Sequence, residues 1–262
     1  MKIKHISNSR ASLFEECQLK YKYKYHDEIP SPVEEPIYFL YGKVIHKIAE
    51  EFVLAKKTKS ISEITQKVLD GSISLEREEN QTKTSIKLPA AYIGRLSSDV
   101  KNILYITEKI GFEGEVEWPF TYDLEPPNNK VIVGFIDRLA KIGDKYLILD
   151  YKTTKPGNWR KNATNIKKDL QLNIYARIVQ KQLNIPPEKI SACLFYVLDG
   201  HTVGIPYFEE KNLELTEKYF LDSYNKIVNV NPELASPNVG LHCKRCDYKS
   251  HCPFFRNSVF NN

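Results

Sequence analysis

Asp137 in "GFIDRL", and Asp150 with Lys152 in "LILDYKT", are charged residues set into apolar runs that otherwise read as buried strands. Side chains alternate along a strand, so Asp150 and Lys152 share one side while Leu149 and Tyr151 share the other. The D-x-K spacing therefore aims two charges at one spot. The preceding strand returns through Gly143 and Asp144, a pair suited to a two-residue hairpin with Ile142 opposite Lys145. Extended, that register sets Asp137 opposite Asp150. Two ionised carboxylates facing each other repel, and a cation between them removes the cost. A hard divalent ion such as Mg²⁺ suits oxygen ligands: two carboxylates, the backbone carbonyl of Tyr151 and an imidazole make a reasonable shell. The chemistry expected is metal-assisted attack of water, with Lys152 beside the water.

The elements that must position these residues follow from periodicity. "SNSRASLFEECQLKYKYKY", Ser7 to Tyr25, reads as a Ser-capped helix with Leu13, Phe14, Cys17 and Tyr21 at helical spacing, ended by the Pro-rich "IPSPVEEP". "YGKVIHKIAEEFVLAKK" places Ile45, Ile48, Ala49 and Phe52 on one helical stripe, with His46 one step off it. Residues 58–113 read as a polar helical insertion. Three strands follow, "EVEWPFTYDL", "KVIVGFIDRLAKI" and "KYLILDYKT", then a helix "NIKKDLQLNIYARIVQKQL", strands "KISACLFYVLDG" and "GIPYFEE", and a helix "NLELTEKYFLDSYNKIVN". The fold class expected is α/β: one domain over 1–262, a mixed β-sheet core flanked by helices, with a cysteine-rich tail at 240–256. No internal repeat and no G-x-x-x-x-G-K-[ST] loop is present, so no nucleotide motor is encoded.

In that order, "GFIDRL", "LILDYKT" and "QLNIY" resemble the motifs of the PD-(D/E)XK nuclease superfamily in its RecB-like branch, and "GKVIH" with Gly42, His46 and Glu50 is similar to that branch's helix motif. The resemblance runs from Ser7 to Cys252, with 58–113 largely outside it. It implies a restriction-endonuclease-like fold and hydrolysis of phosphodiesters, with His46, Asp137, Asp150 and the Tyr151 carbonyl holding Mg²⁺ or Mn²⁺. Lys152 would orient or activate the attacking water and stabilise the phosphorane charge. Gln171 and Tyr175, four residues apart on one helix face, would hold substrate or the lysine. Phosphodiester hydrolysis needs these roles, a metal to sharpen water and cations to neutralise phosphate charge. Members often carry a further acid after "DR", where this chain has Leu139 and Ala140; in most it is not a metal ligand. Glu50 is either a partner of His46 or a solvated helix acid.

The resemblance also implies DNA as substrate, an exonuclease on single strands or duplex ends, and a helicase or a recombination or adaptation partner. The alternative is a non-catalytic nucleic-acid-binding scaffold, against which the intact Asp137, Asp150 and Lys152 argue.

"CKRCDYKSHC" gives C-x₂-C-x₅-C at Cys243, Cys246 and Cys252, one thiolate short of a tetrahedral set. Cys17 supplies a fourth. This pattern looks like the iron–sulfur staple of RecB-like nucleases of the AddB and CRISPR-adaptation kinds, and implies a [4Fe-4S] cluster pinning the N-terminal helix to the tail. A structural Zn²⁺ held with His242 or His251 is the competing reading. Cys193, inside "SACLFYVL", reads as core.

The 262-residue chain carries a formal charge of +5, which permits an anionic partner without proving one. No stretch approaches the roughly 20 apolar residues of a membrane span, so an intracellular, cytoplasmic protein is expected. Two segments mix cations with aromatics as nucleic-acid contacts do: "LKYKYKYH", with Lys22 and Lys24, and "KPGNWRKNATNIKK", with Lys155, Trp159, Arg160 and Lys161 close behind Lys152.

Overall fold

The computed structural model describes residues 1, 3–75, 85–157 and 159–256; residues 76–84 of the expected insertion lie outside the described residues. Ser7 is extended, and its hydroxyl accepts the Arg10 N–H at 3.2 Å to open α1, Asn8–Glu16. The single helix expected to run on to Tyr25 is interrupted at Cys17, which is extended at φ −165° and ψ 111°. Its thiol then accepts the Lys20 N–H at 3.4 Å and starts α2, Gln18–Tyr21, which continues into a π-helical turn at Lys22–His26. Cys17 is thus a cap between two helices and not a member of one stripe.

α3, Ile37–Leu54, buries the expected stripe of Ile45, Ile48, Ala49 and Phe52. α4, Ile61–Leu69, and α5, Ala90–Ile110, add Ile64, Val68, Val100 and Ile103 to the same hydrophobic cluster, which also takes in Leu149, Tyr151 and Phe195. Each such side chain contributes about 1.5–3 kcal/mol by leaving water. Gly111 ends α5 at φ +96°, a conformation that glycine adopts without steric cost.

The strands are β1, Gly114–Asp123; β2, Val131–Ile142; β3, Lys145–Lys152; β4, Ile190–Tyr196; and β5, His201–Ile205, in the sheet order β1-β2-β3-β4-β5. β2 and β3 are antiparallel in the expected register, Ile142 opposite Lys145 through Arg138 opposite Leu149, and the ladder stops one step short of Asp137 and Asp150. Gly143 at φ +62° supplies the positive-φ position of the tight hairpin. β3 runs parallel to β4, and β4 antiparallel to β5, so the sheet is mixed. The last strand differs from expectation: it starts at His201 and is over by Pro206, because proline has no N–H to give a ladder. α6, Leu170–Leu183, is capped by Asp169, whose carboxylate accepts the Leu172 N–H at 3.0 Å. α7, Glu210–Asn229, and the short α8, Pro253–Arg256, are the last helices among the described residues. This is the α/β mixed sheet flanked by helices that the sequence predicts.

The chain divides into two compact units. The terminal unit comprises Met1–Glu34, Phe120–Gly134 and the chain from Glu214 onward; the central unit comprises Glu35–Pro119 and Phe135–Leu213. Among the described residues no helix is long and apolar enough to cross a membrane.

Candidate active site

The charged residues singled out in the sequence meet in the central unit. His46 leaves α3 beside its buried stripe, and its Nδ1 lies 3.5 Å from Asp137 Oδ2. That oxygen also accepts the backbone N–H of Tyr151 at 2.8 Å, a bond that stands where the β2–β3 ladder ends. Asp150, on the next strand, is buried, and its Oδ2 lies 2.6 Å from Lys152 Nζ. The approach is too bent for a hydrogen bond, so this buried oxygen accepts none. Lys152 instead donates to Gln171 Oε1 at 3.0 Å, and Gln171 Nε2 donates to the Tyr175 hydroxyl at 2.8 Å. Gln171 and Tyr175 are successive turns of α6, so one helix face holds the amino group of a strand residue.

One residue of the site gave no signal in the sequence. Glu117 of β1 brings a carboxylate to His46 and Asp137, with the ligand atoms of all three within 4.8 Å of one another. Its backbone is at φ +46°, a left-handed conformation that costs a non-glycine residue about 1–3 kcal/mol and collects at functional sites. "EVEWPF" reads as an ordinary alternating strand with solvated acids. Only the pairing of β1 against β2 brings Glu117 alongside Asp137.

The electrostatics fit a cation. Burial alone would lower His46, but the carboxylate of Asp137 and its hydrogen bond outweigh it and hold the imidazole up at about 9. Burial would raise Asp137, and the charge on His46 and the Tyr151 N–H bring it below the ordinary carboxylate range. Burial lifts Asp150 to about 6, against the opposing charge of Lys152 and with the help of Asp137. Burial pulls Lys152 down, yet the negative charge of Asp150 leaves it raised. Two carboxylates and an imidazole, with the buried carboxylate of Asp150 on the adjoining strand, form a donor set of the kind that holds Mg²⁺ or Mn²⁺. Glu50, left open by the sequence, accepts from Lys47 Nζ at 3.1 Å.

Beneath these groups Arg138 is fully buried and donates through Nη2 to the Gly111 carbonyl at the C-terminal end of α5. Its positive charge meets the negative end of that helix. α5 is thereby fixed to the strand that carries Asp137.

In the terminal unit, Cys17, Cys243, Cys246 and Cys252 line one cavity together with Lys20, Tyr23, His242 and Tyr248. The Gly240 N–H reaches Cys243 Sγ at 3.4 Å, as the Lys20 N–H reaches Cys17 Sγ. Such N–H···S bonds stabilise thiolate, and four thiols around one cavity fit a soft metal centre. His242 Nε2 is buried there without a partner. Cys193 lies on β4, its thiol pushed up to about 11 by burial.

The cationic segments differ in how freely they face solvent. Lys155 is exposed and Trp159 is 69% exposed. Arg160 is committed within the protein: it donates to the Thr154 carbonyl and to Asp199 at 2.7 Å, and its guanidinium lies 4.3 Å from the centre of the Tyr196 ring. Lys161 lies 3.5 Å from Asp169. In the terminal unit Lys22 pairs with Asp27 at 2.6 Å, while Lys24 is exposed beside Tyr25.

The chain matches the family model of the PD-(D/E)XK nuclease superfamily over residues 5–253. A stretch of 124 residues, 46% of the chain, is 32% identical to an ATP-dependent helicase/nuclease subunit from Ligilactobacillus salivarius (strain UCC118), of whose length it spans 8%. The crystal structure of SSO0001 is similar at 18% identity and a TM-score of 0.39, covering 90% of this chain and 94% of that one.

Proposed function

The chain belongs to the PD-(D/E)XK nuclease superfamily, and from that premise we propose that it is a metal-dependent deoxyribonuclease, an exonuclease on single strands or duplex ends. One observation carries this reading: the Asp150–Lys152–Gln171 contacts lie in the same unit as the His46, Glu117 and Asp137 cluster, with Asp137 bonded to the backbone between Asp150 and Lys152. A Mg²⁺ or Mn²⁺ held by His46, Glu117, Asp137, Asp150 and the Tyr151 carbonyl would sharpen water into a nucleophile and neutralise phosphate charge. Asp150 keeps Lys152 cationic, so Lys152 orients the attacking water and stabilises charge growing on the phosphate oxygens. Gln171 fixes the amino group through its carbonyl, and Tyr175 anchors Gln171. The match through residues 5–253 includes parts of both compact units, which supports one nuclease domain with 58–113 as its helical insertion.

In the terminal unit the four cysteines are assigned a [4Fe-4S] cluster, supported by the cavity they share. Zinc with His242 is the second reading, favoured by that buried, unpartnered ring nitrogen. Visible absorbance of anaerobically purified protein with bound iron supports the cluster; colourless protein with bound zinc supports the other. The relative's name joins helicase and nuclease, and a helicase partner in intracellular DNA repair, recombination, phage replication or CRISPR adaptation follows by analogy. The test of the whole reading is degradation of end-labelled DNA with Mn²⁺ or Mg²⁺. A ladder from one end that chelator abolishes supports an exonuclease, and absence of cleavage with either metal overturns the proposal.

A further inference from the structure

Six aromatic rings among the described residues of the central unit are substantially exposed: Tyr105 at 60% and Tyr207 at 55%, distant in sequence from the site residues, and a set of four, Tyr38 at 56%, Phe39 at 54%, Phe135 at 47% and Trp159 at 69%. Each of the four is close along the chain to a residue of the site. Phe39 and His46 are seven residues apart on α3, two turns along one helix face. Phe135 and Asp137 share one face of β2. Trp159 follows Lys152 in the loop after β3. Large exposed aromatics near a charged site mark a surface that something covers.

The seating of Trp159 says what kind of cover fits. A Cβ on Gly157 would stand 2.5 Å from the indole, so the ring lies on a glycine that leaves room for it. Its Nε1 donates to the Lys155 carbonyl at 3.1 Å. The ring is therefore fixed along one side before any ligand arrives, while most of its surface stays in solvent. On α3, Tyr38 and Phe39 lean on each other with ring centres 4.7 Å apart. Gly42, one turn beyond Tyr38, faces the segment leaving β3, and a Cβ there would touch the Thr153 hydroxyl at an ordinary contact distance of 3.4 Å. The aromatic turn of α3 thus adjoins the segment that leads from Lys152 to Trp159. Lys155, four residues before Trp159, is exposed and complements an anionic backbone, and Lys43, four residues after Phe39 on α3, is exposed and paired with Glu35 at 2.9 Å.

Flat exposed rings with a nearby ammonium group match a single-stranded nucleic acid, because unpaired bases offer their faces along the whole strand whereas a duplex offers only its terminal pairs. We propose that Trp159, with Tyr38 and Phe39, forms a base-stacking platform that takes an unpaired nucleic-acid strand beside the metal centre. The proposal rests on the nuclease reading above.

The test compares, with Mn²⁺, end-labelled oligothymidylate, an oligonucleotide of equal length whose bases are replaced by abasic sites, and a blunt duplex. Wild-type KM is expected to be about tenfold lower for oligothymidylate than for the other two. W159A should raise the oligothymidylate KM to the abasic value, and W159F should stay near wild type. Equal KM for base-bearing and abasic strands in the wild type overturns the platform, as does W159A with unchanged KM; the rings would then serve a protein partner or packing. Oligouridylate of equal length separates RNA from DNA as the source of the strand. The wild type and D150A are also assayed on bis(4-nitrophenyl) phosphate. Failure of the wild type there overturns the nuclease reading itself, whereas hydrolysis without any base preference overturns only the platform.

Discussion

At the scale of single residues, each side chain of the centre has a separable consequence. Lys152→Ala removes one cation from the transition state and should lower kcat by about 10²–10³-fold, measured on labelled DNA at saturating Mn²⁺. Glu117→Gln keeps the shape but loses a charged ligand, and should raise the Mn²⁺ concentration for half-maximal cleavage by about tenfold or more. Protons would compete with metal at two of the proposed ligands. Asp150 holds a proton below about 6, and His46 holds one up to about 9, so metal affinity should rise as pH climbs between those values and level off above them. Calorimetric titration with Mn²⁺ across that range checks the sign, and His46→Gln should lose the upper part of the rise. Asp137, Asp150, Lys152, Gln171 and Tyr175 were legible because their motifs survive as short strings with mechanical meaning. Glu117 was not, because its part depends on a left-handed backbone in mid-strand and on which strand lies next to β1.

At the scale of elements, α3 positions His46 by burying the stripe beside it. Ile48→Ala empties a fully buried position and should cost about 2–5 kcal/mol, read as a lower urea midpoint at unchanged slope. The stripe, the β2–β3 register and the Gly143 turn follow from periodicity and turn chemistry, and the structure bears them out. Two features did not follow. The periodic pattern from Ser7 to Tyr25 carries no mark of the break at Cys17, since nothing local in the sequence disfavours helix there. The end of β5 was overrun because apolar residues continue past Pro206, where the ladder loses its donor.

At the scale of the whole molecule, the chain ends meet through the cysteines: Cys17 comes from the first helices, and the other three from the tail. A metal centre across so long a stretch of chain restricts the unfolded state. With the cluster proposed for these cysteines, Cys246→Ser should abolish its visible absorbance and lower the midpoint for unfolding of the terminal unit, monitored by urea titration. The reading of the whole as a metal-dependent nuclease stands on Asp150 and Lys152 acting together. The most direct measurement is loss of end label from single-stranded DNA by anaerobically prepared wild type, Asp150→Ala and Lys152→Ala, each with Mn²⁺ and with chelator. Cleavage by the wild type alone, and only with metal, is the expected result; cleavage retained in both variants, or absent from the wild type, contradicts it.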